Sequence, residues 1–320
     1  MLYAGLPTST AAPVIQYSNA TSFFGPPTIH SKCRNVAICV IGCVVTYYAV
    51  YNALREHLQP PLTSVFVQVP SSGHVARKTI AIGCGITSKR LRELNESNIA
   101  EKFVFLTSLL PSFCMTASSE FSYAFYLAYD HTDRVFSNSS LSAAFTSAFW
   151  HQVGQLCSDN ITLTLHLVIC WHTGRPAWAQ NDAMMDAYLD NVDYFYRIND
   201  DTKMLTSHWA EVFVAALDRY DPPRVGVVGP LQVRRNVDHL TYDFVHMTHI
   251  DVFGFYYPRL FTDWFGDGWI TRVYRPDRCT KLKQVRLKHT RSLGTRYIIN
   301  HASRRLLLPT VARDKLILSR

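Results

Sequence analysis

The chain has 320 residues, of which 48% are hydrophobic and 13% aromatic, and its formal net charge is +8. The high hydrophobicity excludes an intrinsically disordered protein and allows one large globular domain together with a tail or an anchor. A basic surface is compatible with nucleic acid, an anionic membrane or a phosphorylated small molecule. Because no Lys/Arg run has the density of a nucleic-acid-binding arm, we predict no nucleic-acid partner. None of the eight cysteines forms a CxxC pair, which argues against a zinc ribbon or a thioredoxin-type site.

An uncharged apolar segment lies near the N-terminus, at residues 35–54. Twenty such residues match the helix length that crosses the hydrocarbon core of a bilayer. We predict a transmembrane anchor there, preceded by a cytoplasmic tail at 1–34. A stem containing several prolines follows at 55–78, and the main domain occupies 79–320. The alternative for 35–54 is a buried helix of a soluble domain.

The orientation of this anchor is predicted from charges and glycosylation triplets. Lys32 and Arg34 precede the span and favour a cytoplasmic N-terminus. Acceptor triplets for N-glycosylation all lie beyond the span, and they are used only if that side is luminal; they begin at Asn95, Asn138 and Asn160. We therefore predict a single-pass type II protein of the Golgi or endoplasmic reticulum membrane, with the main domain in the lumen.

Within the main domain, apolar runs alternate with amphipathic stretches. This alternation predicts an α/β fold with a mostly parallel central sheet and helices on both faces. The predicted strands are Lys102–Leu110, Phe121–Tyr129, Thr162–Cys170, Tyr194–Ile198 and Val225–Val228. The predicted helices are Leu141–Leu156, Ala177–Leu189 and His208–Tyr220.

Two acidic clusters follow predicted strands, at Asp130/Asp133 and at Asp200/Asp201. In a parallel sheet, ligands bind beyond the carboxyl ends of the strands. Adjacent carboxylates repel each other unless a cation neutralises them. Their hard oxygen atoms suit Mn²⁺ or Mg²⁺, which can bridge substrate phosphates. The alternative for Asp200/Asp201 is a solvated turn with a helix cap.

The strand Tyr194–Ile198, ending in Asn199-Asp200-Asp201, resembles the metal motif of GT-A fold glycosyltransferases, whose sheet is Rossmann-like. This DxD-type motif holds a divalent metal and, through it, the diphosphate of a nucleotide sugar. The resemblance implies that Asp201 and Asp200 contact the metal, and that Asn199 or Asp200 reaches the ribose or the sugar. His289, close to the C-terminus, takes the place of a further metal ligand, although a lone histidine is more often a surface or packing residue.

The resemblance implies further contacts to the donor. The segment 103–133 is similar to the nucleotide-binding first strands of these enzymes, which places Asp130 or Asp133 near the base or the ribose. Polar residues at the start of a helix before the metal motif often contact the donor, and N-capping is the alternative; the candidates are Asn181 and Asp182. Cations after the acidic loop could neutralise the leaving diphosphate; these are Lys288, Arg291 and Arg296.

The segment Asp263–Trp269 carries two carboxylates and two tryptophans in seven residues. Inverting members of the fold use a carboxylate of such a loop as general base. We predict Asp267 as the base, with Asp263 as second choice, and the alternative is a surface turn with packed tryptophans. Acceptor contacts are predicted for Trp264, Trp269 and His246. A metal cluster around His246 and His249 is the alternative for the segment 242–258.

Taken together, these features imply a metal-dependent hexosyl- or N-acetylhexosaminyltransferase. It would move a sugar from a nucleotide diphosphate sugar to a hydroxyl of a glycan, protein or lipid. The configuration inverts if Asp267 is the base; in a retaining enzyme Asp267 would position substrate. One rival is a phosphohydrolase with a two-metal site built from Asp130, Asp200, His246 and His249. The other is a membrane-anchored glycan-binding module without catalysis.

Overall fold

The computed structural model describes residues 77–234, 237–290, 294 and 296–319. The chain divides into two compact units, 1–62 and 63–320, and all described residues belong to the second. The predicted tail, the anchor and nearly all of the stem therefore lie outside the described residues. Among the helices that are described, none combines the length and the apolar character needed to cross a membrane.

An eight-stranded sheet forms the centre of the second unit, in the order β3-β2-β1-β4-β7-β6-β8-β5. Neighbours in β3-β2-β1-β4 run parallel, as do β6 and β8, whereas β7 and β5 run antiparallel to their neighbours. The predicted α/β class and the mostly parallel sheet are confirmed. The strands are β1 (Thr79–Gly85), β2 (Ser122–Asp130), β3 (Thr162–Cys170), β4 (Tyr194–Arg197), β5 (Thr202–Met204), β6 (Val227–Gln232), β7 (Asp243–His246) and β8 (Cys279–His289).

Helices pack on both faces of the sheet, where two separate clusters of buried side chains lie. One cluster is rich in phenylalanine, and the other contains the alanines of α4. The helices are α1 (Ile99–Lys102), α2 (Leu110–Thr116), α3 (Ser139–Leu156), α4 (Pro176–Leu189), α5 (Trp209–Leu217), α6 (Thr248–Phe253), α7 (Gly266–Tyr274) and α8 (Leu307–Leu318). A π-helical turn at Phe105–Leu109 precedes α2, and a 3₁₀ turn at His301–Leu306 precedes α8.

The prediction of a strand at Lys102–Leu110 was wrong, because this run is helical and leads into α2. Its buried residues fit helical spacing as well as they fit a buried strand: Phe105 and Leu109 are four apart, and Phe103 and Leu106 three apart. Pro111 sits in the first turn of α2, where its missing N–H costs nothing.

The first strand in the sequence is β1, which lies inside the sheet and pairs with β2 on one side and with β4 on the other. Helix α4 packs directly onto it at Gly83, where an added Cβ would lie 2.6 Å from Met184 Cε. Parallel pairing brings the carboxyl ends of β1, β2, β3 and β4 to one edge of the sheet. Because β7 is antiparallel to β4, His246 pairs with Tyr194 and lies at the opposite edge.

Candidate functional site

The acidic motif lies in a tight turn between β4 and β5, in which Thr202 N donates to Asn199 O at 3.1 Å. Strand β5 then pairs with β8 so that Thr202 faces His289. The Asp201 carbonyl accepts hydrogen bonds from Thr290 N at 2.9 Å and from Thr290 Oγ1 at 2.7 Å. This pairing brings His289 Nε2 to 2.8 Å from Asp201 Oδ2. The structure thus joins two residues that the sequence predicted as metal ligands.

Asp200 points to a different partner, the guanidinium of Arg296. Its side chain is 1% exposed, and Arg296 Nη1 donates to Oδ2 at 2.6 Å while Nη2 donates to Oδ1. Burial raises the pKa of Asp200, and the hydrogen bonds and charge of Arg296 offset only part of that rise. The adjacent carboxylates therefore have separate partners, Arg296 for Asp200 and His289 for Asp201. Both oxygens of the Asp200 carboxylate bind Arg296, and its predicted contact with a metal stays a prediction.

The chemistry of Asp201 and His289 fits a divalent cation. Asp201 Oδ1 and His289 Nδ1 are buried and have no hydrogen-bond partner among the described residues. A buried polar atom without a partner is costly, and a cation would satisfy the carboxylate oxygen. One oxygen and one nitrogen ligand suit a first-row transition metal such as Mn²⁺ better than Mg²⁺, which prefers oxygen. Substrate phosphates and water would complete the coordination.

Asp263 is engaged by hydrogen bonds that hold its loop together. Its carboxylate accepts from Thr262 Oγ1 at 2.8 Å and from Trp264 N at 2.7 Å. Asn300 N approaches both oxygens, at 3.2 and 3.1 Å. This carboxylate ties the loop to the segment preceding α8, a structural role that leaves it a poorer general base than Asp267.

Asp267 lies in the first turn of α7, and 30% of its side chain is exposed. Gly268 N donates to Oδ1 at 2.7 Å, and His239 Nε2 lies 3.2 Å from Oδ2. Burial alone would raise the pKa of Asp267, but the hydrogen bond and charge of His239, with the charge of Arg197, lower it on balance. The carboxylate is therefore ionised at neutral pH, as a general base must be.

Consecutive residues connect the acidic turn with the loop before α7. Arg296 binds Asp200, and Tyr297 OH accepts from Trp264 Nε1 at 2.9 Å. Burial raises the pKa of Tyr297, and the charges of Asp263 and Asp267 raise it further. Both carboxylates of the loop thus lie within electrostatic reach of the segment that carries Arg296. Two surface cavities of the described residues are lined by α5 and its neighbours rather than by these carboxylates.

The two tryptophans of the loop differ in position. Trp264 is 43% exposed and can offer a ring face to a sugar. Trp269 is fully buried, and its Nε1 donates to Asp314 Oδ2 at 2.9 Å. Because no face of Trp269 reaches the surface, its predicted acceptor contact is a packing contact in the structure.

A buried ionic network underlies the loop and was not predicted. Asp243 is fully buried, and Arg197 Nη2 donates to its Oδ2 at 2.9 Å. Tyr257 OH donates to Oδ2 at 2.6 Å, and Tyr256 OH to Oδ1 at 2.5 Å. Arg197 Nε also donates to Tyr257 OH at 2.8 Å. Arg197 is the last residue of β4, so this network holds the end of the strand from which the acidic turn begins.

The alternative metal cluster around His246 and His249 is not assembled. His249 is buried, with Nε2 at 2.8 Å from Tyr256 O and Nδ1 at 3.0 Å from Tyr274 OH. Burial lowers the pKa of His249 to about 4. His246 lies at the opposite edge of the sheet from Asp201, so its predicted acceptor contact does not fit this site either. The two-metal site of the phosphohydrolase alternative is not assembled either, because it needs His246 and His249 beside Asp130 and Asp200.

The acidic residues after β2 do lie at the predicted edge. Asp133 is 7% exposed and accepts hydrogen bonds from Thr87 Oγ1, Ser88 N and Ser88 Oγ at 3.0, 2.7 and 2.8 Å. It therefore shapes the loop that follows β1. Asp130 Oδ2 accepts from Gly174 N at 2.8 Å and is half-buried. A contact of either residue to a base or ribose stays a prediction, as does the predicted contact of the half-buried Asn199.

The remaining predicted donor contacts fall into different environments. Asn181 is buried; its amide donates to Tyr257 O at 2.8 Å and accepts from Tyr256 N and Tyr257 N at 3.1 and 2.9 Å. It supports the backbone below the loop instead of capping α4 or facing a donor. Lys288 is exposed and lies opposite Lys203, so strand alternation separates its side chain from that of His289. Arg291 lies outside the described residues.

Comparison with known proteins adds distant structural likenesses. No family model and no curated protein matches the sequence. The chain is similar to S. aureus TarS, with 12% identity over 74% of this chain and 39% of that chain and a TM-score of 0.44. It is similar to an S. aureus TarS fragment in complex with UDP, with 12% identity over 74% and 65% and a TM-score of 0.46.

A third similar structure is a protein from Desulfovibrio desulfuricans G20 described as a nucleotide-diphospho-sugar transferase. The identity is 9% over 75% of this chain and 99% of that chain, with a TM-score of 0.37. The chain spans less than two thirds of both S. aureus chains. All three TM-scores are at or below 0.46, so these likenesses establish neither the fold nor the function of this chain.

Proposed function

We propose that this chain is a nucleotide-sugar-dependent glycosyltransferase that uses a divalent cation, with Mn²⁺ preferred over Mg²⁺. The observation that carries the proposal is the Asp201–His289 pair at the carboxyl edge of a parallel strand. His289 Nε2 lies 2.8 Å from Asp201 Oδ2, and Asp201 Oδ1 is buried without a partner among the described residues. Arg296 lies beside this pair. The site therefore combines cation ligands with a fixed positive charge, which is the combination a diphosphate requires.

Donor binding would depend on Asp201, His289 and Arg296. A cation held by Asp201 and His289 would supply positive charge to the diphosphate that leaves the sugar. A guanidinium carries five N–H groups, and the Asp200 carboxylate takes two of those of Arg296. The others can donate to a phosphate oxygen. Asp200 holds the guanidinium in place and keeps it charged.

Acceptor activation would depend on Asp267. Its ionised carboxylate accepts the proton of the acceptor hydroxyl as the hydroxyl oxygen attacks the anomeric carbon, and the configuration inverts. His239 orients the carboxylate from 3.2 Å, and the exposed face of Trp264 stacks on the acceptor sugar. The acceptor class comprises hydroxyls of glycans, proteins or lipids.

A luminal location in the Golgi or endoplasmic reticulum is part of the proposal. The described residues contain a disulfide between Cys114 and Cys157, and such bonds persist in oxidising compartments. Asn95, Asn138 and Asn160 are all exposed, so each glycosylation triplet is accessible to the luminal machinery. Membrane attachment through residues 35–54 belongs to the same proposal.

The test uses the full chain and a panel of nucleotide sugars, with release of the nucleoside diphosphate as the readout. We expect turnover of at least one donor with Mn²⁺ and none with chelator. Asp201→Asn should lower the rate by at least about 100-fold, the range seen when electrostatic stabilisation of a transition state is removed. The exposed Asp159→Asn is the charge-matched control and should retain the wild-type rate. Full activity of Asp201→Asn would refute the assignment. Glycan binding that is insensitive to chelator, without any turnover, would favour the binding-module alternative.

A further inference from the structure

A second group of side chains that could hold a metal lies at the end of β3, the outermost strand of the sheet on the side away from β8. The ligand atoms of Cys170, His172 and Asp182 are all within 4.8 Å of one another. Cys170 ends β3, and His172 follows two residues later in the bend after the strand. Asp182 comes from α4, which packs over this edge. Two separate elements therefore converge on one point.

The hydrogen bonds within this group leave one ring nitrogen of the histidine unused among the described residues. His172 Nε2 lies 2.9 Å from Asp182 Oδ2, and His172 Nδ1 is buried without a partner among the described residues. Cys170 is fully buried, while the side chains of His172 and Asp182 are only 13% and 16% exposed. Trp178 covers the histidine with its ring centroid 5.4 Å away. The site is thus shielded from bulk water yet close to the surface.

Asp182 has one oxygen directed at each of two partners. Its Oδ1 accepts from Arg259 Nη2 at 3.3 Å, and its Oδ2 lies 2.9 Å from His172 Nε2. A metal ion bound here would stabilise the Cys170 thiolate, because coordination favours the deprotonated sulfur.

We propose that Cys170, His172 and Asp182 bind a zinc ion. Sulfur, nitrogen and oxygen together suit Zn²⁺, whereas Mg²⁺ and Ca²⁺ require oxygen ligands. The Zn–S bond forms as the thiol S–H bond breaks and its proton passes to solvent, and a water molecule fills the fourth position. This site shares no residue with the Asp201–His289 pair, so the two proposed metal sites are distinct.

The zinc ion would have a consequence for the rest of the fold. It would clamp β3 to α4, and the residue next to Asp182 is Asn181, which holds the backbone of Tyr256 and Tyr257. Those tyrosines bind Asp243 and thereby support Arg197 at the end of β4. Loss of zinc should accordingly lower the stability of this part of the molecule.

The experiment titrates the metal-free full chain with Co²⁺, whose thiolate complexes show a sulfur-to-cobalt charge-transfer band in the near ultraviolet. We expect this band in the wild type, displaced by Zn²⁺ with a stoichiometry of about one per chain. Cys170→Ser should abolish it, and the matched control Cys279→Ser, which removes a free thiol elsewhere, should keep it. Asp201→Asn should keep it as well.

His172→Gln and Asp182→Asn retain the thiol and should weaken Co²⁺ binding at least about tenfold, since even outer-shell changes at metal sites cost that much. These two variants decide the matter if Cys170→Ser does not fold. Absence of the band in the wild type, or its persistence in Cys170→Ser, would overturn the proposal. Unchanged affinity in both His172→Gln and Asp182→Asn would do the same.

Discussion

Removal of the Arg296 guanidinium tests the ion pair that holds the acidic turn. Arg296→Met leaves the Asp200 carboxylate buried without its partner, since Asp200 is 1% exposed. Breaking a buried pair in this way costs about 3–5 kcal/mol. Because 15% of the Arg296 side chain is exposed, we expect the lower end, about 3 kcal/mol. For a domain of this size that corresponds to a fall in melting temperature of roughly 6–12 °C.

The stability that Arg296→Met loses should be greater at high pH than at low pH. Burial already raises the pKa of Asp200 in the wild type, and the loss of Arg296 removes the groups that lower it. A carboxyl whose folded pKa exceeds its unfolded value binds more protons in the folded state, so its contribution to stability falls as pH rises. Arg296→Met should therefore be most destabilised at pH 8 and should recover part of the loss as acidification protonates Asp200.

Thermal unfolding followed by circular dichroism at pH 8 and pH 5.5 measures both effects. The double variant Asp200→Leu/Arg296→Met removes both charges and should regain much of the stability, as apolar replacements of buried pairs do. Arg224→Met breaks the exposed pair with Asp218 and should cost less than about 1 kcal/mol. Equal losses at both pH values, or a loss no larger than that of Arg224→Met, would refute the reasoning.

Three further predictions concern single groups. Asp267→Asn should lower the turnover number at least about 100-fold, which is the lower end of the range for loss of a general base, and should leave the melting temperature unchanged. Unaltered turnover would remove Asp267 from the mechanism. His249 is neutral in the fold because burial lowers its pKa from 6.5 to about 4. The contribution of His249 to the free energy of unfolding should fall by roughly 3 kcal/mol as the pH drops through that interval. In denaturant unfolding, His249→Gln should therefore depend less on pH than the wild type does; parallel pH profiles of the two proteins would contradict this. Reducing the Cys114–Cys157 disulfide, whose cysteines are 43 residues apart, should cost about 4 kcal/mol in denaturant midpoint measurements; an unshifted midpoint would contradict it.

The local sequence pattern was sufficient to predict β2, β3 and β4 to within one residue at each end. Thr162–Cys170 is predicted with its observed bounds, because residues 162–167 alternate polar and apolar with the two-residue period of a strand. Thr79–Gly85 was missed, although it lies at the centre of the parallel strands. It contains two glycines, and its strand conformation depends on pairing with β2 and β4.

The functional residues were predictable only as single side chains and not as pairs. The Asp201–His289 contact joins residues 88 apart, and it was expected only from the order of motifs in a resembling family. The Asp200–Arg296 and Asp267–His239 pairs have no local signal, because the partner of a charge is set by strand pairing and loop packing. The assignment of Asp200 to a metal rests on its place beside Asp201 in the motif, and it stays a prediction.

The central claim is that Asp201 and His289 bind a divalent cation together with a nucleoside diphosphate. Electron paramagnetic resonance of Mn²⁺, titrated into the full chain with uridine, guanosine or adenosine diphosphate, measures this binding directly. We predict tight binding with at least one nucleotide in the wild type and in the Asp159→Asn control. Asp201→Asn and His289→Gln should each weaken it at least about tenfold. Wild-type affinity for Mn²⁺ in Asp201→Asn would contradict the account.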